Sequence, residues 1–139
     1  MAKETRRVDQ LSVLILSNGN EPGFLKGFRE LARREEVKSQ SVVPCDIVCL
    51  CDLQSIHPYE KSRKGGFNVI ITSRIDDETI EFLKGLPEEK KVFLRSPQEK
   101  PKMKMPKNFT WVFTDPEHDL ASHIHEAYDL ITFGWKKKA

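Results

Sequence analysis

Apolar residues along this chain gather into short blocks that alternate between strand-like runs and helix-like spacing. Leu11 to Leu16 (LSVLIL) is rich in β-branched residues and stops at Ser17-Asn18-Gly19-Asn20, the pattern of a buried strand ending in a turn. Phe24, Leu25, Phe28, Leu31 and Ala32 then recur at helical spacing. With Asn20 as cap and Pro22 in the first turn, this predicts a helix from about Pro22 to Glu36. Ile47 to Leu50, flanked by Cys45 and Cys51, reads as a second strand. The polar stretch Gln54 to Gly66, which carries Pro58 and closes on two glycines, reads mostly as loop.

Phe67 to Thr72 is a third strand. Asp76-Asp77 then starts a helix that carries Ile80, Phe82, Leu83 and Leu86. Val92 to Leu94 is a fourth strand. Residues 96–108, with three prolines and Lys100, Lys102, Lys104 and Lys107, predict an extended loop. Thr110 to Thr114 is a fifth strand, and Asp119 caps a last helix with the stripe Leu120, Ile124, Ala127, Tyr128, Ile131. Short apolar strands alternating with helices imply an α/β fold: one three-layer domain on a mainly parallel, five-stranded, flavodoxin-like sheet. The expected strand order is 2-1-3-4-5, with strand one in the middle. Helices after strands two and four are missing from the pattern. Residues 1–10 read as a flexible lead-in, 11–135 as the domain and 136–139 as a basic tail.

The totals fit this picture. A chain of 139 residues with 38% hydrophobic and 32% charged residues is large enough for one core and carries a heavily charged surface. Its apolar runs are too short to span a bilayer, and its charged start is unlike a secretory signal. Three cysteines without such a signal suggest free thiols and a cytoplasmic location. The net charge of +2 excludes an overall nucleic-acid footprint. Locally, though, Lys90, Lys91, Arg95, Lys100, Lys102, Lys104 and Lys107 face one acid, Glu99.

In a parallel sheet, chemistry belongs at the carboxyl ends of the strands. Those ends carry Ser17, Asn18 and Asn20, then Asp52, Thr72, Ser73, Arg74, Arg95, Ser96, Thr114 and Asp115. Residues 17–23 lack both the Walker lysine and G-x-G-x-x-G spacing, so no nucleotide motif is present. Cys45, Cys49 and Cys51 share one strand parity, but C-x3-C-x-C is not a usual zinc pattern, and His57 is the only nearby fourth ligand. His57 with Asp52 could form an acid–base pair, but no motif sets a nucleophile beside them. His123 and His125 diverge on their helix. No metal, cofactor or catalytic residue is assigned, and the reading leans away from an enzyme.

The order of elements resembles a response-regulator receiver domain. A receiver needs carboxylates where this chain has Ser17-Asn18 and Thr72-Ser73, and a lysine where it has Thr114-Asp115, so the resemblance implies at most a degenerate receiver. The chain also resembles Toll/interleukin-1 receptor (TIR) domains. The likeness lies in its element order, in Phe109-Thr110-Trp111-Val112 with Asp115-Pro116-Glu117 ahead of the last helix, and in a long proline-containing loop after Asp52. It departs from them in the opening strand and in the helix after strand three. Glu78 and Glu81 lie in the element where NAD-cleaving members keep a glutamate, but no flanking motif fixes either one.

The TIR-like or pseudo-receiver resemblance implies a non-catalytic protein-interaction domain in signalling or assembly. The expected contacts are His57, Pro58 and Tyr59 in one loop and Lys100, Lys102, Lys104 and Lys107 in the other. The partner would be another protein, a second copy included. The alternative is a small hydrolase or nucleotide-binding enzyme working from Asn18, Asp52, Ser73 and Asp115. A third reading has the basic loop bind nucleic acid or anionic phospholipid.

Overall fold

The computed structural model describes residues 6–17, 21–62, 66–102 and 104–137. The chain runs β1 (Arg6–Val8), β2 (Leu11–Leu16), α1 (Pro22–Lys38), β3 (Cys45–Leu50), a 3-10 turn (Leu53–Ser55) and α2 (Ile56–Ser62). It continues through β4 (Val69–Thr72), α3 (Asp77–Lys84), β5 (Lys91–Ser96), β6 (Phe109–Phe113), α4 (Leu120–Thr132) and β7 (Trp135–Lys137). Five strands form one all-parallel sheet in the order β3-β2-β4-β5-β6. This is the expected 2-1-3-4-5 order. The opening strand β2 lies second, one strand in from the edge, and β4 holds the centre.

Handedness decides which face each connection covers. The step from β2 to β3 runs toward one edge of the sheet, while β3 to β4, β4 to β5 and β5 to β6 all run toward the other. Because parallel crossovers are right-handed, the reversal sends α1 to one face and α2, α3 and the β5–β6 connection to the opposite face. The α1 face is then half bare, and α4 fills the gap. Leu11, Val13, Ile15, Val69, Ile71, Phe93 and Val112 point to Phe24, Phe28 and Leu31 of α1 and to Ile124, Ala127 and Ile131 of α4. Alternate strand residues Leu14, Leu16, Ile70, Val92 and Leu94 point the other way, to Ile56, Ile80 and Leu83. Strands buried on both faces read as continuous apolar runs, as Leu11–Leu16 and Val69–Thr72 do.

Helix α1 meets α4 closely. A Cβ on Gly27 would run into Cδ1 of Ile124, so the helices approach as they do because residue 27 has no side chain. Phe28 packs its ring against Phe24 and Tyr128, each with centroids 6.0 Å away.

Several elements differ from the sequence reading. The stretch after Asp52, expected as loop, is a 3-10 turn followed by α2. Asp52 accepts the Ser55 amide at 2.9 Å and starts the turn, and fully buried Ile56 anchors the helix. Pro58 sits in the first turn of α2, where a missing N–H has no helical partner to lose. Helix α1 begins at Pro22, as expected, but the residue in the cap position is Glu21 rather than Asn20, which lies outside the described residues. Part of the expected lead-in is ordered: β1 pairs in parallel with β7, and the turn before β7 uses Gly134 at φ 84°. Among the described residues, the connection from β5 to β6 is, as expected, a strap without a helix.

Candidate functional site

Register aligns the carboxyl ends of the central strands. Leu16 pairs with both Leu50 and Thr72, and Thr72 pairs with Leu94. Strand β5 therefore carries Arg95 and Ser96 past that line, beside Ser73. The strand order reverses between β2 and β4, and at such a point the connections diverge and leave a crevice. Helix α1 starts at its mouth. Arg95 lies 3.8 Å over the Phe24 ring, and its side chain is only 7% exposed.

A buried guanidinium needs a counter-charge, and Glu21 supplies it. Arg95 Nη1 donates to Glu21 Oε1 at 3.1 Å, and Ser73 Oγ donates to Glu21 Oε2 at 2.6 Å. Glu21 is the residue before helix α1, yet its side chain does not cap the helix. Among the described residues, Arg95 Nε is buried without a hydrogen-bond partner. Alongside, Ser17, Glu21, Pro22, Leu25, Cys49 and Cys51 line a concavity of about 190 Å³.

The rim residues expected to serve an enzyme do not converge. Ser73 belongs to the Glu21 cluster. Asp52 follows the edge strand β3, where its Oδ1 accepts Ser55 N and Oγ, while His57 stacks on Phe82 at 5.4 Å, so the two serve different neighbours. Asp115 follows the opposite edge strand β6, where its carboxylate accepts the Glu117 amide at 2.9 Å and lies 3.8 Å from His118. Four strand spacings separate Asp52 from Asp115, roughly 19 Å, far beyond what one small reacting centre can span. Asn18 lies outside the described residues.

The cysteines divide by environment. Cys45 and Cys49 turn toward the α1 core, whereas Cys51 is exposed and His57 packs over the opposite core. Burial, with nearby Glu36, pushes the Cys45 thiol up to about 12, and burial also raises Cys49. Among the described residues no group of three His, Cys, Asp or Glu side chains could hold a metal ion.

The residues expected to make contacts fare differently. His57, Pro58 and Tyr59 are exposed on α2, and Lys100, Lys102, Lys104 and Lys107 are exposed on the strap. Helix α2 and the strap cover the same face, because Ile56 and Met105 both pack into the core under α3. The strap is pinned where Trp111 Nε1 donates to the Gln98 carbonyl at 3.0 Å and Asn108 Nδ2 to the Lys90 carbonyl at 2.7 Å. Two of the basic residues grouped with it by sequence point inward: Lys90 Nζ donates to the Phe67 carbonyl at 2.8 Å, and Arg95 holds Glu21. Phe113, on the same side of β6 as Trp111, is 49% exposed. The sequence reading overlooked Phe113 and Glu21. An acid just before Pro-Gly at a helix start, and an arginine ending an apolar strand, were the signals for the ion pair.

No family model matches the chain, and a search of curated proteins finds no match. Among solved structures the chain is similar to the Francisella novicida lysine decarboxylase LdcF, with a TM-score of 0.59 and 12% identity. The match covers 94% of this chain and 18% of that enzyme, so this chain spans less than a fifth of its length. At that identity the likeness establishes the α/β fold alone. No helix of the described residues is long and apolar enough to cross a membrane.

Proposed function

We propose that this chain is a non-catalytic interaction domain, TIR-like or pseudo-receiver in character, which docks a protein partner through the face made by α2, α3 and the basic strap. One observation carries the reading. Helix α2 and the strap, some forty positions apart in sequence, pack into the same core, and His57, Pro58, Tyr59 and the four strap lysines are exposed on that side. Tyr59, 42% exposed, and Phe113 offer apolar anchors, and the four strap lysines give the rim a positive field. Such a surface suits a partner with an acidic border, and the lysines would speed encounter more than they tighten the complex.

The strand-end carboxylates Asp52 and Asp115 are occupied with local turns at opposite edges, which favours docking over catalysis. To test the reading, partners retrieved with the intact chain are compared for binding to Tyr59→Ala and to a variant with Lys100, Lys102, Lys104 and Lys107 reversed to Glu. Both variants are expected to bind at least tenfold more weakly while melting at the wild-type temperature. Normal binding by both would remove this face from the interaction.

A further inference from the structure

We infer that the chain pairs with a second copy of itself along β6, antiparallel about Trp111, so that two five-stranded sheets join into one. Strand β6 closes one edge of the sheet, and no described strand lies on its outer side. Two hydrogen bonds fix which of its backbone groups face outward. The Val92 amide donates to the Asn108 carbonyl at 2.9 Å, and the Thr114 amide donates to the Ser96 carbonyl at 2.8 Å. In the register between them, Thr110 and Val112 turn their N–H and C=O groups to β5. Phe109, Trp111 and Phe113 therefore turn theirs away from the sheet. The Phe109 amide is taken by the Pro106 carbonyl at 3.0 Å, which leaves the Phe109 carbonyl and both groups of Trp111 and Phe113 for a partner. The opposite edge is guarded. On β3 the Ile47 carbonyl accepts Arg29 Nη2 at 3.2 Å, and just past that strand the Cys51 carbonyl accepts Arg74 Nη1 at 2.9 Å.

The sequence around the edge selects the occupant. Phe109-Thr110-Trp111-Val112-Phe113 reads almost the same in both directions about Trp111, with β-branched Thr110 and Val112 exchanging places. A two-fold axis at Trp111 sets that residue opposite its copy and sets Phe113 opposite the partner's Phe109. The Trp111 amide then donates to the partner's Trp111 carbonyl, the Phe113 amide donates to the partner's Phe109 carbonyl, and each bond occurs twice. Phe113, 49% exposed and on the same side of β6 as Trp111, covers its ring against the partner's aromatic residues. Charge agrees with the antiparallel sense. Exposed Lys104 and Lys107 stand ahead of β6, while Asp115 and Glu117 stand behind it. The axis brings the basic end of each strand to the acidic end of the other, whereas a parallel pairing in register would set lysine on lysine. A purely acidic foreign strand would suit the lysines but meet Asp115 and Glu117 at the far end. An interface this narrow belongs to the weak, transient class. The seam takes up Phe113 and the end of the strap but leaves Tyr59 on α2 open, and it does not depend on the docking role.

The experiment is sedimentation velocity of the full chain at rising concentration, with amide exchange followed by nuclear magnetic resonance. Wild type is expected to pass from monomer to dimer. Exchange of the Trp111 and Phe113 amides should slow with concentration, and by more than that of Val112, which is already bonded to β5. Phe113→Lys, which puts a charge where the ring packs, is expected to weaken the dimer about tenfold. Lys107→Asp and Asp115→Lys should each weaken it severalfold. An equal mixture of those two variants should recover it, because opposite charges then meet at both ends of the seam. Tyr59→Ala should dimerise as wild type does, whatever it does to the binding of another protein. A wild type that stays monomeric up to about 1 mM overturns the inference, as does a dimer indifferent to Phe113→Lys or a mixture that recovers nothing. Should Asp115→Lys fail to fold, amide exchange in wild type decides, and rates at Trp111 and Phe113 that ignore concentration would be the contrary result.

Discussion

Gly27 offers the sharpest test of how the two halves of the α1 face were brought together. Replacing a mid-helix glycine by alanine removes backbone freedom from the unfolded chain and favours the helix by about 1 kcal/mol. Here, however, the new methyl would collide with Cδ1 of Ile124, whose side chain is 7% exposed and wedged among core residues of α4 and the sheet. Overpacking of that kind costs about 1–3 kcal/mol. The collision should win, so Gly27→Ala is expected to destabilise by about 1 kcal/mol despite the better helix former.

Ile124→Val deletes the offending Cδ1 and by itself should cost about 1 kcal/mol of packing. Combined, the two changes fill the space that each alone spoils. The double variant is expected near wild-type stability, which gives a coupling of about 2 kcal/mol between the sites. Gly23→Ala serves as a control. Its Cβ would lie 3.2 Å from Cδ2 of Leu120, a side chain exposed enough to turn aside, so stability should hold or rise slightly. Equilibrium urea unfolding, read by circular dichroism with m-values compared across the set, measures all four. Additive effects of Gly27→Ala and Ile124→Val, within about 0.5 kcal/mol, would refute the close helix contact.

Other outcomes follow from single contacts. Asp76 caps α3 by accepting the Thr79 amide at 3.0 Å, and Asp76→Ala is expected to cost about 1 kcal/mol in urea melts. Slight burial opposes ionisation of Asp76, but the Thr79 hydrogen bonds and Arg74 outweigh it and hold the carboxyl below its ordinary range. Its contribution should thus be present at neutral pH and be lost as pH falls through that depressed value, so wild type and Asp76→Ala should converge in acid. Thiol labelling with an aromatic disulfide at pH 8 should modify exposed Cys51 first and Cys45 last, because burial keeps Cys45 protonated; simultaneous modification would contradict the assigned strand face. Phe28→Ala should destabilise by about 3–5 kcal/mol in the same urea assay, since Phe28 is fully buried between Phe24 and Tyr128.

The architecture was largely legible because each central strand is buried on both faces and so declares itself as an unbroken apolar run. Leu11–Leu16 is found with its expected limits, and Asp76 and Asp119 start their helices where an acid precedes a periodic stripe. Helix α2 escaped notice for a physical reason. It is only seven residues long, His57, Pro58, Tyr59 and Lys61 are exposed, and the anchor Ile56 by itself gives no periodicity to read. The pairing of β1 with β7 joins the two ends of the described chain, a contact that no local pattern encodes. The same holds for the crevice. Glu21, Ser73 and Arg95 come from three separate elements and meet only because β4 and β5 lie side by side, with α1 starting over their ends. Sequence does rank the lysines as one run, but only the fold separates inward Lys90 and Arg95 from the exposed lysines of the strap.

Hydrogen–deuterium exchange of the intact chain, alone and saturated with a partner retrieved by it, tests the docking face most directly. Protection is expected over Ile56–Ser62 and over 97–108, with the α1–α4 face exchanging as it does in the free protein. Protection confined to α1, α4 or the edge of β3, with α2 and the strap unchanged, would contradict the proposal.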